Sequence, residues 1–177
     1  MRHLLFPIIV CLPVALGACA SVGTAPRKIQ ATAVLLAADS RPVGNASLFA
    51  AGDRLDLRIE ANSLPPGLHG AHLHAVGRCE PKEFTSAGGH LNPAGHQHGS
   101  MNPRGSHLGD LPNLTAANDG SGALDVLLAG SRAEVEAAIF DADGTAIVIH
   151  AAPDDYRTDP SGASGARIAC GVFARVR

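Results

Sequence analysis

Apolar and polar residues alternate in short stretches along most of the chain, beginning near Ile29. Within 53–61, Leu55, Leu57 and Ile59 fall on one face, which is typical of a half-buried β-strand. The other strand-like stretches are 29–36, 45–50, 111–117, 123–128, 146–150 and 166–176. Turn residues separate these stretches, and short strands at such spacing predict an all-β sandwich or barrel.

Three segments depart from this alternation. Residues 76–106 are rich in Gly, Pro, Asn and His, and 151–165 is a second polar loop. A loop as long as the first is normally functional or disordered, and its histidines favour a loop that a metal holds in one conformation. Residues 133–140 have mixed periodicity and fit either a loop or a short helix.

Composition and charge narrow the classes of protein. The chain has 177 residues, enough for one domain with its own core. Its formal net charge of −2 implies no nucleic-acid partner. The 20 glycines and 12 prolines suit a β-rich chain with many turns. All but one of the 9 histidines lie between His69 and His150, which places the candidate chemistry there.

The first 18 residues have the pattern of a signal peptide. Arg2 gives a short positive region, and the apolar run 4–16 is too short to span a bilayer comfortably. The run ends in Leu-Gly-Ala-Cys19, which resembles a bacterial lipobox and predicts cleavage before Cys19 with lipid attached to that residue. Cleavage at the A-x-A pattern 18–20 is the alternative. Either way we expect an exported chain in the periplasm or envelope, with membrane anchoring if Cys19 is lipidated.

These observations divide the chain into three predicted segments. They are a lipoprotein signal peptide at 1–18, a flexible tether at 19–28 and a single domain at 29–177. Cys11 is lost with the signal peptide, so Cys79 and Cys170 are the cysteines left for the domain. In an oxidising compartment such a pair predicts one disulfide, and the alternative is that both act as metal thiolates.

The stretch 67–74, Gly-Leu-His-Gly-Ala-His-Leu-His, carries the strongest local signal. His72 and His74 are two residues apart, so on a strand both imidazoles point to the same face and make half of a metal site. His69 has the opposite parity, which predicts a supporting residue and not a ligand.

Several motifs, in this order, resemble those of the copper/zinc superoxide dismutases of the bacterial exported type. They are 67–74, Gly-Gly-His-Leu-Asn-Pro at 88–93, His98, His-Leu-Gly-Asp at 107–110, Val-Ile-His at 148–150, Asp154 and Gly-Ala-Arg-Ile-Ala-Cys-Gly at 165–171. Together they cover most of the chain from Ile29 onward. The resemblance implies an eight-stranded antiparallel Greek-key β-sandwich, or barrel, with two long functional loops.

The resemblance also implies two metal ions per chain, one copper cycling between Cu²⁺ and Cu⁺ and one Zn²⁺. The implied copper ligands are His72, His74, His90 and His150. The implied zinc ligands are His90, His98, His107 and Asp110, so His90 would bridge the ions. Four imidazoles suit Cu(II), three imidazoles with one carboxylate suit tetrahedral zinc, and imidazole can bridge through its two ring nitrogens.

Further roles follow from the same resemblance. Asp154 would link a copper histidine to a zinc histidine, and His69 would bond to backbone. Arg167 would attract the anionic substrate beside the copper, and His90 would take up a proton when copper is reduced. The two domain cysteines would tie the long loop to the last strand.

Some choices stay open at the level of sequence. His96 is two residues from His98 and could replace it as the zinc ligand, although the spacing to His90 and His107 favours His98. Ala71 stands where the family often has an aromatic residue. The loop 151–165 has no Lys, and its cations reduce to Arg157 before Arg167. Electrostatic guidance could therefore come from cations of the other loop, which are Arg78, Lys82 and Arg104.

The function that the resemblance implies is conversion of superoxide to O₂ and hydrogen peroxide, in defence of the cell envelope. The alternative is a non-enzymatic, metal-binding or copper-carrying relative on the same scaffold. Superoxide is the expected substrate, no nucleic acid is expected, and both a homodimer and a monomer are compatible with the sequence.

Overall fold

The computed structural model describes residues 27–177. The signal-peptide prediction, the lipidation prediction at Cys19 and most of the predicted tether therefore lie outside the described residues. Its strands are β1 (Ile29–Ala37), β2 (Pro42–Ala51), β3 (Arg54–Ala61), β4 (Gly67–His69), β5 (Ala71–His74), β6 (Leu114–Ala116), β7 (Gly122–Leu127), β8 (Ala146–His150), β9 (Arg167–Val172) and β10 (Ala174–Arg175). The helices are a 3₁₀ turn at Thr85–Ala87 and α1 at Arg132–Ile139.

Most of the strands form one antiparallel sheet. Its order is β5-β8-β9-β1-β2-β3-β7, with β10 paired to β1, which makes eight strands. The all-β antiparallel architecture and the strand count of the main sheet are confirmed. The remaining strands, β4 and β6, form a separate antiparallel pair.

The histidine-rich stretch 67–74 contains two strands because it changes partners at Gly70. The Gly70 N–H donates to Ala152 O, and Gly70 O accepts from the N–H of His150. Before this residue the chain pairs with β6, and after it the chain pairs with β8. A Cβ at Gly70 would lie 2.7 Å from the Ser164 hydroxyl oxygen, so this close approach requires glycine.

The core follows the predicted alternation. Leu55, Leu57 and Ile59 of β3 are fully buried, and Ala31, Ala33 and Leu35 in the middle of β1 are buried in the same core. All five residues of β8 are buried because both faces of that strand are covered. Ile147 and Ile149 join the main core, whereas Val148 packs in a smaller cluster beneath the long loop. This double cover makes β8 a rigid support for His150.

Residues 132–139 form a helix, which decides between the two possibilities that the sequence left open. Ser131 caps the helix by accepting from the Glu134 N–H, and the Glu134 side chain accepts in turn from the Ser131 N–H. This capping box was a readable signal in the sequence. Val135 and Ile139 bury the apolar side of the helix. Among the described residues, no helix has the length and apolar character needed to cross a membrane.

Two long connections are confirmed as loops. The segment 75–113 has no element longer than the 3₁₀ turn, and 151–166 joins β8 to β9. A disulfide between Cys79 and Cys170 ties the first loop to β9, with the Cα atoms 5.7 Å apart. The predicted disulfide is confirmed, and the alternative with metal thiolates is wrong.

Candidate metal centre

Four imidazoles meet where β5, β8 and the long loop come together. His72 and His74 project from the same face of β5, and His150 ends the neighbouring antiparallel strand β8. His90 reaches the group because its backbone forms an isolated antiparallel bridge with His74. One ring nitrogen from each of the four lies within 4.8 Å of the others.

The hydrogen bonds of these histidines fix which nitrogen faces the centre of the group. His74 Nδ1 donates to Gly88 O at 3.0 Å, and His150 Nδ1 donates to Gly165 O at 3.2 Å. Because carbonyl oxygens only accept, each neutral ring must carry its proton on Nδ1 and its lone pair on Nε2. His72 is oriented by Asp154, whose Oδ2 accepts from His72 Nε2 at 2.8 Å.

The nitrogens on the other side of these rings have no protein partner. His72 Nδ1, His74 Nε2, His90 Nε2 and His150 Nε2 are buried without a hydrogen bond to any described residue. Buried polar atoms are normally satisfied, so a converging set of this kind calls for a ligand. An all-imidazole set suits copper, and these four buried nitrogens fit it because each has a lone pair with no other partner among the described residues.

Burial is the main cause that lowers the pKa of three of these rings. The pKa is lowered to about 2 for His74, about 4 for His90 and about 3 for His150. Repulsion from neighbouring imidazoles lowers all three further. At neutral pH the rings are therefore uncharged, which is the state that a metal ligand requires.

A second cluster shares His90 with the first. His90 Nδ1, His98 Nδ1 and His107 Nδ1 lie 2.9, 3.0 and 3.1 Å from Asp110 Oδ1. The His90 and His107 Nδ1 atoms are 3.4 Å apart. Zinc bonds of about 2.0–2.1 Å in a tetrahedron place ligand atoms roughly 3.3 Å apart, so the cluster fits a closed zinc site.

The contact between His98 and Asp110 supports this interpretation. His98 Nδ1 is close to the carboxylate oxygen, yet its geometry does not make a hydrogen bond, and the nitrogen is otherwise unpartnered. The second Asp110 oxygen accepts from the N–H groups of Gly99 and His107 at 2.8 and 2.9 Å. These backbone donors aim Oδ1 at the three imidazoles.

Opposing effects act on the Asp110 carboxylate. Burial raises its pKa, but the contact with His90 and the backbone donors Gly99 and His107 outweigh burial and leave the pKa below its usual range. Asp110 therefore stays ionised in the native state, as a zinc ligand must.

Asp154 joins the two clusters. Its side chain is fully buried, and Oδ2 accepts from His72 Nε2 while Oδ1 accepts from His98 Nε2 at 3.0 Å. Burial raises the pKa of Asp154, but these two imidazole donors and a backbone N–H lower it by more. One carboxylate thus orients one histidine of each cluster.

An open cavity of about 490 Å³ leads to the first cluster. Arg167 lines it together with His74, His90 and His150. The guanidinium donates to Phe84 O and Gly88 O, each at 2.7 Å. Gly88 O also accepts from His74, so one carbonyl fixes both a candidate ligand and the candidate substrate cation.

The other histidines have separate positions. His69 is buried, with Nδ1 2.7 Å from His150 O and Nε2 2.8 Å from Pro65 O, so both ring nitrogens contact backbone carbonyls. His96 is exposed at the rim of the cavity, and its Nδ1 donates to Ser106 O at 2.9 Å. His98, not His96, lies within the second cluster.

Three residues that orient the site carried no signal in the sequence. Asn113 and Tyr156 hold the backbone and carboxylate of Asp154, and the Asp159 carboxylate accepts from the N–H of His98 at 2.6 Å. Each is an ordinary polar loop residue without a ligand motif. Their contacts join segments more than 40 residues apart, and this pairing could not be read from local spacing.

Comparison with known proteins gives consistent results. The family model for copper/zinc superoxide dismutase (SODC) matches residues 43–173. The Caulobacter vibrioides superoxide dismutase [Cu-Zn] is 42% identical over 148 residues, which is 81% of this chain and 85% of that protein. A superoxide dismutase-like protein from Bacillus subtilis is 38% identical, with a TM-score of 0.77 over 83% of this chain and 100% of that one. For the Cu/Zn superoxide dismutase from Brucella abortus the identity is 29% and the TM-score 0.65, over 82% and 100% of the two chains.

The chain therefore belongs to the copper/zinc superoxide dismutase family. It is an oxidoreductase that uses copper and zinc and acts on superoxide. The fold class, the enzymatic function and the cofactors expected from the sequence are confirmed. The alternative of a non-enzymatic copper-carrying relative gains no support.

Proposed function

We propose that the two histidine clusters divide the metals of this enzyme between them. Copper is held by His72, His74, His90 and His150, and zinc by His90, His98, His107 and Asp110. The observation that carries the assignment is the set of four buried, unpartnered nitrogens beside a cluster with tetrahedral spacing. His90 belongs to both because its two ring nitrogens face different clusters.

Copper, when bound, supplies the alternating one-electron reduction and oxidation by which two superoxide anions and two protons give O₂ and hydrogen peroxide. The protein's own groups have three tasks. Arg167 attracts the anion into the cavity, since its guanidinium stays charged at working pH and is fixed by two carbonyls. His90 Nε2 takes up a proton and returns it to the peroxide product. The backbone contacts of His74 and His150 keep their lone pairs aimed at the centre.

The role of Arg167 is tested by reversing its charge. We expect Arg167→Glu to lose roughly tenfold or more in kcat/KM, the size of electrostatic steering effects, with both metals retained. The matched control is Arg157→Glu, an equal charge change at an exposed position of the loop 151–166 that precedes Arg167. Arg167→Lys should keep part of the activity because the charge remains, although Lys cannot reproduce both hydrogen bonds.

The dependence of the reaction rate on ionic strength tests the role of Arg167 independently. In wild type, added salt should slow the reaction because screening shortens the reach of the attracting field. In Arg167→Glu this dependence should weaken or invert. Full activity of Arg167→Glu with both metals bound would show that Arg167 is only structural.

We further infer that the chain is exported and anchored through Cys19. The disulfide between Cys79 and Cys170 supports an oxidising compartment, and the Leu-Gly-Ala-Cys19 sequence supports lipid attachment. Cys19→Ser should move the protein from the membrane fraction to the soluble exported fraction. Unchanged fractionation would contradict lipid attachment and favour cleavage at the A-x-A pattern.

The oligomeric state is a separate prediction. A homodimer and a monomer are both compatible with the sequence, and sedimentation can distinguish them.

A further inference from the structure

Tyr156 lies in the loop 151–166, two residues after Asp154 and outside both metal clusters. We propose that Tyr156 is a positioning residue, which holds the Asp154 carboxylate against His72 and His98 and so strengthens zinc binding. The inference rests on the metal assignments proposed above. It adds a residue whose hydroxyl forms its hydrogen bond with Asn113 and not with a described metal ligand of either cluster.

The first argument is a closed cycle of hydrogen bonds. The Asn113 side chain clamps the Asp154 backbone, since Oδ1 accepts from the Asp154 N–H at 2.8 Å and Nδ2 donates to Asp154 O at 3.0 Å. The Asn113 N–H donates to the Tyr156 hydroxyl at 2.8 Å. The Tyr156 N–H donates to Asp154 Oδ1 at 2.6 Å and closes the cycle. The hydroxyl is therefore the link that joins the clamp to the carboxylate.

The second argument is the way Tyr156 joins the two loops. Tyr156 O accepts from the Met101 N–H at 3.1 Å, in the segment just after His98. A Cβ at Gly99 would clash with Tyr156 O, so the two backbones are in direct contact there. Tyr156 has a φ of +61°, a left-handed conformation that a non-glycine residue adopts only when its surroundings hold it. Its hydroxyl contact with Asn113 is one of the contacts that hold it.

The third argument concerns which metal depends on this arrangement. Asp154 contacts one histidine of each cluster, but the two have different support. His72 lies on β5 and is paired with β8. His98 lies in a loop without regular structure, where its ring is fixed by Asp154 and its N–H by Asp159. A looser Asp154 should therefore disturb His98, and with it zinc, more than it disturbs copper.

The direct test is Tyr156→Phe, which removes the hydroxyl and keeps the ring. We expect zinc affinity, measured by chelator competition, to fall roughly three- to tenfold, as for loss of one net hydrogen bond. Copper affinity should change less. The absorption spectrum of Co²⁺ in the zinc site should shift, because the geometry of His98 changes. Asn113→Ala breaks the same cycle at a second point and should weaken zinc binding at least as much.

The matched control is Thr158→Val, which deletes a hydroxyl from the same loop. The Thr158 hydroxyl donates to the exposed Asp155 and does not contact Asp154. Zinc affinity of this variant should equal that of wild type. Urea unfolding of the metal-free variants gives a further control, and equal midpoints for wild type and Tyr156→Phe would show that the zinc effect is local.

A double-mutant cycle identifies the path of the effect. If Tyr156 acts through Asp154, Tyr156→Phe should cause no further loss of zinc affinity in the Asp154→Asn background. An unchanged affinity in Tyr156→Phe alone, or an equal loss in both backgrounds, would overturn the role of Tyr156 and leave the metal assignments intact. An unchanged affinity in Asp154→Asn itself would overturn the role assigned to Asp154, and this inference with it.

Discussion

The half of the centre that we propose for copper and the half that we propose for zinc are built by different means; they are called the copper half and the zinc half below. In the copper half, His72, His74 and His150 lie on β5 and β8, two paired strands in the main sheet. In the zinc half, His98, His107 and Asp110 lie in the loop 75–113, where the pairing of Asp110 with the sheet is limited to an isolated antiparallel bridge to His72. The strands place the copper histidines through backbone pairing that is part of the fold. The loop is held by side-chain contacts, by the disulfide and by a few backbone contacts with β5, and we expect bound zinc to order it further.

This difference teaches where each half is vulnerable. The copper half is expected to be sensitive mainly to protonation of its buried, uncharged imidazoles, because protons compete with the metal for the same lone pairs. The zinc half is expected to be sensitive mainly to loss of a contact that orders the loop, because few other contacts offset the conformational entropy that the loop loses when it is ordered. Sensitivity to protonation and sensitivity to loss of a loop contact can be measured separately.

Acid should have the largest effect, and it should act through the three buried histidines whose pKa is lowered, two of which belong to the copper half and one to both halves. His74, His90 and His150 have native pKa values of about 2, 4 and 3, below the ordinary value of 6.5. Below pH 6.5 the unfolded chain binds protons at these rings and the native protein does not, so stability falls as pH falls. Each ring contributes up to about 1.4 kcal/mol per pH unit, until the pH reaches its native pKa.

The carboxylates of the centre give the internal comparison. The pKa values of Asp110 and Asp154 are also lowered from 3.8, so the stability they contribute is lost only below about that pH. The free energy of unfolding of the metal-free protein, measured with urea between pH 7.5 and 4.5, should therefore change with pH because the histidines of the unfolded chain become protonated. A constant free energy of unfolding over this range would contradict the burial argument.

Loss of the disulfide should have the next largest effect, and it should act on the zinc half. Cys170→Ser is expected to lower the free energy of unfolding by roughly 2–5 kcal/mol, because the bond closes a loop of 91 residues. Cys79→Ser should give the same result, since both variants lack the same bond. Zinc should be lost to chelators more readily than copper. Equal loss of the two metals would show that the disulfide does not favour the loop over the strands.

Removal of one charge from Asp154 should separate the two metals. Asp154→Asn is expected to weaken zinc binding by about 10–100-fold, the usual size for a residue that orients a ligand. Copper binding should weaken less because His72 remains fixed on β5. Asp155→Asn is the matched control, since that neighbouring carboxylate is exposed and caps its own loop. Equal retention of zinc in Asp154→Asn and wild type would contradict the role of Asp154.

The smallest effect is expected at His96. His96→Ala should leave zinc content unchanged because the ring is exposed and its hydrogen bond, among the described residues, is to Ser106 O and not to a residue of the zinc cluster. His98→Ala should remove zinc from the purified protein. Metal analysis of the two variants side by side checks the choice between these histidines, and zinc loss in His96→Ala would reverse it.

The copper half was the more predictable one from sequence. The i, i+2 spacing of His72 and His74 and the alternation in 53–61 both follow from the geometry of a strand, and the structure has those strands. The helix at 132–139 was also within reach, through the capping box at Ser131 and Glu134. Local periodicity is sufficient for such elements because it depends only on near neighbours.

The zinc half was less predictable because its contacts are long-range. The family motifs suggested His98, His107 and Asp110, but nothing in the sequence indicated that Asn113 and Tyr156 would meet around Asp154. The division of 67–74 at Gly70 was also missed, since it depends on which strand lies opposite each part. Loop conformation is set by these distant partners, and a pattern along the chain does not contain them.

His90 has a thermodynamic consequence that neither half has alone. Its two ring nitrogens face different clusters, so occupation of one cluster fixes the ring for the other. Binding free energies form a closed cycle, and the factor by which zinc raises copper affinity must equal the factor by which copper raises zinc affinity. The ion that binds first therefore bears part of the entropy cost of ordering His90 for the second ion. The summed binding free energy of the two ions is the same for either order of binding.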